Sequence, residues 1–572
     1  MIKRWLAIFS SLAYHISGYD NQAIQTYTAA VVEFNPVSIG DTFTNVAQVT
    51  TQAIEIIESD ELNGADIVVL PEGIFNRQNT ASYLPNTNDS YCDHENVDMV
   101  LRNISCAVRK ANKYVVINLY VKINCEFDDQ PFCSNQTDST NLYNMAVVFD
   151  RRGDVVARYR KYNLFNEDGV QQTEMPDLIT FATDFNVTFG ICVCFDLMFD
   201  QPVINLVHKG VTNFIYPTMW FSEIPYLSAT QYQQSWAYAN NVNLLAANVN
   251  APNIQCSGSG IYHGRSGALQ VFISELPMRK ILIANVPVDL PKNHLTASTE
   301  RKNSESNNKL QKTRSISAQN IDSSPLDGDL FGTSKDKFSY AIDLGQDDLS
   351  DYTVKFLNFS TSSYQVGSVC NNAICCNYTV EIDDNGEHEG KFSYSYAISV
   401  FSGQRGHKPI NDLFTGQDVC SLIACIEMNS KDSCGLRLPL QQVQNRYNFK
   451  KLFLETMLPI TSMNVMPNTL TQELLPLKTT EFDYKLSEIQ EQDKYVVTLN
   501  LNTPKSNLLT FALFSRNFDK DMFVKGTAMA EGIYIFVLCI LSSFVWMMSN
   551  ADRFYLFNIY KVNLMKFGSS QK

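Results

Sequence analysis

Three residues of this sequence could do chemistry together. Glu72 lies in "VVLPEG", Lys161 in "ARYRKYNLF" and Cys194 in "TFGICVCFDLMF". Each follows an apolar, strand-like run. Strand ends of a layered α/β sheet converge on one edge, so three such residues can share a pocket. A thiol attacks a carbonyl well only as the thiolate. A nearby carboxylate can take its proton, and a nearby ammonium lowers its pKa. The ammonium and the backbone N–H after the nucleophile then stabilise the tetrahedral oxyanion. The trio spells acyl transfer through a Cys thioester. Singly, each residue has an ordinary use. A Glu after a strand caps or faces water, a Lys in "RYRKY" sits on the surface, and a Cys in an apolar strand packs. Cys192 and Cys194 stand two apart, a spacing that also admits a structural, redox or metal pair.

The elements that must hold these residues alternate between strand-like and helix-like over 27–290. "YTAAVVEF" (27–34), "ADIVVLPEG" (65–73), "KYVVINLYV", "NMAVVFD", "VVARYR", "VTFGICV", "VTNFIYP" and "NLLAANV" read as short strands. Residues 41–59 carry Phe43, Val46, Val49, Ile54 and Ile57 at roughly helical spacing, with Asp41 as N-cap. Ala229–Ala239 is helix-like. The pattern is a layered α/β or α+β sheet domain.

The chain's 572 residues exceed one core and imply two or three domains. Its net charge of 45 − 59 = −14, with no basic stripe, argues against a nucleic-acid partner. No P-loop, dinucleotide fingerprint, HExxH or GxSxG appears. Residues 1–20 have the charged start and apolar run of a signal peptide; an ordinary first helix is the plainer reading. Sequons at Asn88, Asn103, Asn135, Asn186, Asn358 and Asn377, with fourteen cysteines, point the same way. Cys92 with Cys106 and Cys125 with Cys133 read as loop staples. Cys370, Cys375, Cys376, Cys420, Cys425 and Cys434 admit many pairings, or a zinc site. Residues 295–336 read as a linker, rich in Ser, Asn and Lys over 295–329. Residues 337–523 read as a second, β-rich, disulfide-tied domain. The uncharged stretch 532–548 has the length of a membrane span, with a GPI signal or a buried helix as alternatives.

Taken jointly, the segments around Glu72, Lys161 and Cys194 resemble the Glu–Lys–Cys triad of the nitrilase superfamily of carbon–nitrogen hydrolases. More narrowly, they resemble its vanin and biotinidase branch. "YPTMWFSEIPYLSA", "QSWAYANNVNLLAANV", "GSGIY", "VCNNAICCNYTV" and "VCSLIACIEMNSKDSCG" run close to that branch in wording and order, over about 27–520. The resemblance implies an α+β fold: an αββα sandwich (27–294) followed by a smaller β-rich domain. It makes Cys194, directly before the aromatic–Asp pair, the nucleophile and leaves Cys192 in the core. It makes Glu72 the general base and Lys161 the oxyanion stabiliser. Glu167, beside Asp168, matches the family's second Glu, and Tyr216, Thr218 and Trp220 are candidate substrate contacts. It further implies no cofactor or metal, a monomer that is secreted or tethered outside the cell, and a small linear amide as substrate. Pantetheine is the first amide to try and a biotin amide the second. A binding protein that kept the fold and lost turnover is the rival reading.

Overall fold

The computed structural model describes residues 25–36, 42–85, 87–124, 140–291, 344–387, 390–407, 410–459, 463–489 and 494–523. The signal-peptide, linker and apolar C-terminal segments, Asp41, Asn135, Cys125 and Cys133 lie outside them. The described residues fall into two compact units: 25–403 with 417–519, and 404–416 with 520–523.

The larger unit begins with two facing sheets. The first takes its strands in the order β14 (Lys280–Pro287), β1 (Thr26–Glu33), β2 (Ile67–Val69), β4 (Tyr114–Asn124), β5 (Thr140–Phe149) and β6 (Val155–Arg160), with β3 (Ser82–Tyr83) beside β4. The second runs β13 (Ala268–Phe272), β12 (Ser259–His263), β11 (Asn243–Asn248), β9 (Asn213–Thr218), β8 (Thr188–Ile191) and β7 (Thr180–Ala182). The strands β1, β2 and β4 are parallel, as are β8, β9 and β11. Parallel strands covered on both faces read as continuous apolar runs, which is why these segments stand out in the sequence. Inside the sandwich, Tyr27 meets Phe189 edge-on at 5.4 Å and donates to Asn213 Oδ1 at 3.0 Å.

Helices cover the outer faces. Val49, Ala53 and Ile56 of α1 (Thr42–Ile57) and Val100, Leu101 and Ile104 of α2 (Met99–Ala111) share one core with Val68, Val115, Ile117 and Val147. Asp98 caps α2, its side chain accepting from Val100 N at 2.9 Å. On the other face a short turn, α3 (Asn205–His208), precedes α4 (Ala229–Asn240), whose Trp236 meets Phe214 edge-on at 5.3 Å. The result is the αββα sandwich that the resemblance implies.

Helix α4 looks polar, yet residues Ala229–Ala237 are all buried. Its far side packs on the second domain, and every buried amide has a partner. Gln231 Nε2 donates to Pro225 O and Asn468 Oδ1, Gln233 Nε2 to Gly258 O, and Gln234 Nε2 to Leu477 O.

That second domain is a pair of antiparallel sheets around one apolar core. One is ordered β16 (Thr353–Phe356), β19 (Ser395–His407), β20 (Ile410–Cys425), β25 (Leu508–Asn517) and β22 (Met463–Thr471), with β26 (Met522–Phe523) beside β20. The other is ordered β17 (Tyr364–Asn371), β18 (Ile374–Asp384), β21 (Tyr447–Pro459), β24 (Lys494–Leu501) and β23 (Phe482–Ile489). A two-stranded pair, β10 (Glu223–Ile224) and β15 (Gly345–Gln346), joins the chain's two halves. The six cysteines form Cys370–Cys375, Cys376–Cys420 and Cys425–Cys434, the second tying β18 to β20. No thiolate is left among them for zinc, so the metal alternative falls. Cys92–Cys106 forms as its spacing predicted. Within the smaller unit, Gln404 Nε2 donates to Lys520 O at 2.7 Å and Gly416 N to Asp521 Oδ1 at 2.8 Å.

One buried acid sets a pH dependence. Asp347 follows β15 and its N–H donates to Ile224 O at 2.9 Å. Burial pushes its carboxyl up to about 7, although the Tyr352 hydroxyl and the Asp348 N–H favour the anion; the neighbouring Asp348 charge adds to the rise. A carboxyl raised in the folded state binds its proton more tightly there than in the unfolded chain. Stability therefore falls as pH climbs from about 4 to about 7 and stays lower above. At about 1.4 kcal/mol per unit, the loss is roughly 4 kcal/mol. Asp347→Asn removes the titrating group. Its stability relative to the parent, from denaturant unfolding, is expected to rise by a few kcal/mol between pH 5 and pH 8. An equal difference at both pH values would contradict this.

Candidate active site

Four strand ends deliver the site. Chain leaves β2 through Pro71, and Glu72 N donates to Thr218 O at the end of β9, 3.4 Å away. Lys161 follows β6, with its N–H on Asn144 O at 2.8 Å. Past β8, Cys192 N donates to Ile215 O at 3.2 Å, and Cys194 opens a tight turn, Cys194–Met198. The two sheets thus bring their ends to one place.

The side chains meet there, all nearly sealed from water. Glu72 is 5% exposed, Lys161 2% and Cys194 6%. Lys161 Nζ donates to Glu72 Oε1 at 2.8 Å and to Glu167 Oε1 at 2.5 Å. Asn144 Nδ2 bridges the same carboxylates, 2.8 Å from Glu72 Oε1 and 2.8 Å from Glu167 Oε2. Behind it, Asn118 Nδ2 donates to Asn144 Oδ1 at 2.6 Å, and Asn118 Oδ1 accepts from Gly73 N at 2.8 Å. Met219 N donates to Glu72 Oε2 at 3.0 Å, and the Met219 N–H and the Thr218 hydroxyl both favour the anionic form of Cys194.

Electrostatics fix the protons. Burial alone would lower the Lys161 ammonium, but Glu167, Glu72 and Cys194 outweigh it and hold Lys161 well above the ordinary lysine range. Burial pushes the Cys194 thiol up, and Glu72 pushes the same way; Lys161, Thr218 and Met219 act against them without prevailing. The ammonium thus lowers the thiol pKa as expected, but burial and Glu72 outweigh it. Two carboxylates and one ammonium leave the cluster one negative charge in excess, so a resting thiolate would add a second. The thiol therefore rests protonated and needs a base.

Cys194 sits at φ 46°, a left-handed conformation that costs a non-glycine residue ~1–2 kcal/mol and persists where its surroundings over-determine it. Asp196, fully buried, supplies much of that restraint. Its Oδ2 accepts from Tyr159 Oη at 2.6 Å and Val193 N at 2.9 Å, and its Oδ1 from Asn163 N and Nδ2, both at 2.9 Å. Tyr216 Oη donates to Cys194 O at 2.8 Å. Phe195 lies edge-on to Phe165 at 5.0 Å; Phe165 in turn stacks on Phe221, which is 37% exposed.

Of the residues singled out by sequence, Glu72, Lys161, Glu167, Cys194, Tyr216 and Thr218 meet at this point. Trp220 stands back from it: its indole N–H donates to Leu227 O at 2.8 Å and its ring stacks on Tyr232 at 5.3 Å. Cys192 is unpaired with Cys194 and buried, its Sγ 3.8 Å from Ile215 O. Asn144, Asn118 and the Met219 N–H were not anticipated. The two asparagines are single polar residues inside apolar strands, a signal that was there to be taken. Among the sequons, Asn88, Asn186, Asn358 and Asn377 are exposed and Asn103 is half-buried in α2. Among the described residues no His, Cys, Asp and Glu group is arranged to hold a metal, and no helix is long and apolar enough to cross a membrane.

Comparison with known proteins bears on the family. The family model for carbon–nitrogen hydrolases matches residues 28–287, and that for the vanin C-terminal domain matches 342–521. Vanin-like protein 1 of Drosophila melanogaster is 34% identical over 542 residues, covering 90% of this chain and 91% of that one. Pantetheinase of Homo sapiens is 29% identical over 434 residues, covering 72% and 76%. Biotinidase of Takifugu rubripes is 30% identical over 393 residues, covering 65% and 71%. A relative so similar across nine-tenths of both chains settles the matter of kinship: this chain belongs to the vanin branch of the carbon–nitrogen hydrolase family.

Proposed function

We propose that the protein hydrolyses a linear amide through a Cys194 thioester, and that pantetheine is its substrate, giving pantothenate and cysteamine. The relatives named pantetheinase and biotinidase support the substrate class. The observation that carries the mechanism is the shared reach of Glu72: one oxygen holds the Lys161 ammonium at 2.8 Å, the other accepts from the Met219 N–H at 3.0 Å, and its charge acts on the Cys194 thiol.

Glu72 takes the thiol proton as Sγ bonds to the amide carbon. The oxyanion forms against Lys161, whose charge Glu167 helps to maintain. The C–N bond breaks, and the amine leaves with the proton from Glu72. Water, giving a proton to Glu72, attacks the thioester; the acid departs and Sγ recovers its proton. The four disulfides among the described residues support an oxidising compartment and the extracellular placement read from the sequence.

The test is release of cysteamine, read as a new primary amine, from pantetheine by the purified protein. Release is expected, and its loss after alkylation of Cys194 with iodoacetamide. Release that survives alkylation would remove Cys194 from the chemistry. Cleavage of a biotin amide but not of pantetheine would move the substrate to the biotinidase side.

A further inference from the structure

Strand β25 belongs to the second domain, but one of its faces rests on the first. Leu509, Phe511 and Leu513 point into the second domain's own core. The alternate residues point the other way, as strand periodicity requires. Thr510 Oγ1 donates to Pro225 O at 2.8 Å, and Phe514 packs edge-on against Tyr232 at 6.2 Å. Arg516, 1% exposed, comes next on that face. Its Nε donates to the carbonyl of Met198 at 2.7 Å, and its guanidinium lies 5.9 Å from the centroid of Phe199.

These two contacts lead straight to the nucleophile. Met198 closes the turn that Cys194 opens. Phe199 meets Phe195 edge-on at 5.0 Å, and its N–H donates to Asp196 O at 3.1 Å. The other restraints described on this left-handed turn, from Tyr159, Asn163, Val193 and Tyr216, come from the first domain. Arg516 grips it from the second.

We propose that Arg516 is a positioning residue, through which the second domain fixes the turn presenting Cys194 and thereby sets the reactivity of the thiol. The inference rests on Cys194 being the nucleophile. It adds that the hydrolase domain's site is completed by the domain that follows it.

The test uses the full chain with Arg516→Met, which keeps bulk and loses the donors, Arg516→Lys, which keeps a charged donor, and Thr510→Val. The last removes a hydrogen bond on the same β25 face without touching the turn. Two readouts are taken on each: the rate of Cys194 alkylation by iodoacetamide, and kcat and KM for pantetheine, with thermal melting alongside. A misplacement of about 1 Å at a reacting group can lower a rate roughly a hundredfold. Arg516→Met is expected to slow both alkylation and kcat at least ~10-fold with KM within ~3-fold, Arg516→Lys to recover part of that loss, and Thr510→Val to stay within ~2-fold. Alkylation and kcat within ~2-fold of the parent in Arg516→Met, or equal losses in Thr510→Val, would overturn the proposal. If Arg516→Met does not fold, Arg516→Lys decides on the same readouts, parent-like values overturning it. Alkylation needs no substrate, so failure of the parent to cleave pantetheine would count against the substrate alone.

Discussion

Glu72→Gln is expected to lower kcat ~10³-fold while making Cys194 easier to alkylate. The two effects run in opposite directions because Glu72 plays two parts. In the proposed mechanism it is the base that accepts the thiol proton, and a glutamine cannot; losses of ~10²–10⁴ are usual when a positioned base is removed. As a negative charge it also opposes thiolate formation, one of the causes that hold the Cys194 thiol up. Without that charge the alkylation midpoint moves to lower pH. The ammonium stays charged, since Glu167 remains 2.5 Å from Lys161 Nζ. Nor does the fold collapse. Gln Oε1 can still accept from Lys161 and Asn144, while its amide faces the Met219 N–H, one lost hydrogen bond worth ~1–3 kcal/mol. The measurements are kcat on pantetheine and the pH profile of iodoacetamide labelling. A midpoint that moves up, or kcat within tenfold of the parent, would contradict the assignment.

Much of this site is legible in the amino-acid sequence, and the reason is physical. Parallel strands buried on both faces produce apolar runs that end abruptly, and Glu72, Lys161 and Cys194 stand just past those ends. The features that are not legible have causes as definite. The Met219 N–H belongs to the backbone and leaves no trace in residue type. Asn144 holds the carboxylates and Asn118 holds Asn144, but a polar residue in a strand announces only that it has a partner, not which. The three glutamines of α4 resemble a solvated face; the second domain supplies acceptors for Gln231 and Gln234, at Asn468 and Leu477, and Gln233 finds Gly258 O in the first. The left-handed turn at Cys194 is not a matter of local propensity, which disfavours it, but of the bonds to Asp196. The six clustered cysteines need the sheet register, since Cys375 and Cys376 are adjacent in sequence and pair with different strands.

Lys161→Met tests whether that buried charge balance holds the fold as well as the chemistry. Removing one partner of a buried ionic group costs ~3–5 kcal/mol, because the remaining charges are left without compensation. Here two carboxylates, which share both Lys161 and Asn144, would face each other with only the amide between them. One of them can escape by taking up a proton, so the variant binds protons more tightly when folded than when unfolded. Its stability must then fall as pH rises from 5 to 8. The parent's Lys161 behaves differently. Its ammonium is raised above the ordinary lysine value of 10.5, so the stability it contributes is fully present below that value and does not change between pH 5 and 8. The gap in melting temperature between parent and variant should therefore be small at pH 5 and large at pH 8. The same substitution removes the cation proposed to face the oxyanion, and kcat should fall ~10²–10³-fold where both proteins are folded. A gap independent of pH would mean that the carboxylates find compensation elsewhere. Near-parent kcat would transfer the oxyanion to backbone donors alone, because no other described cation hydrogen-bonds Glu72 or Glu167.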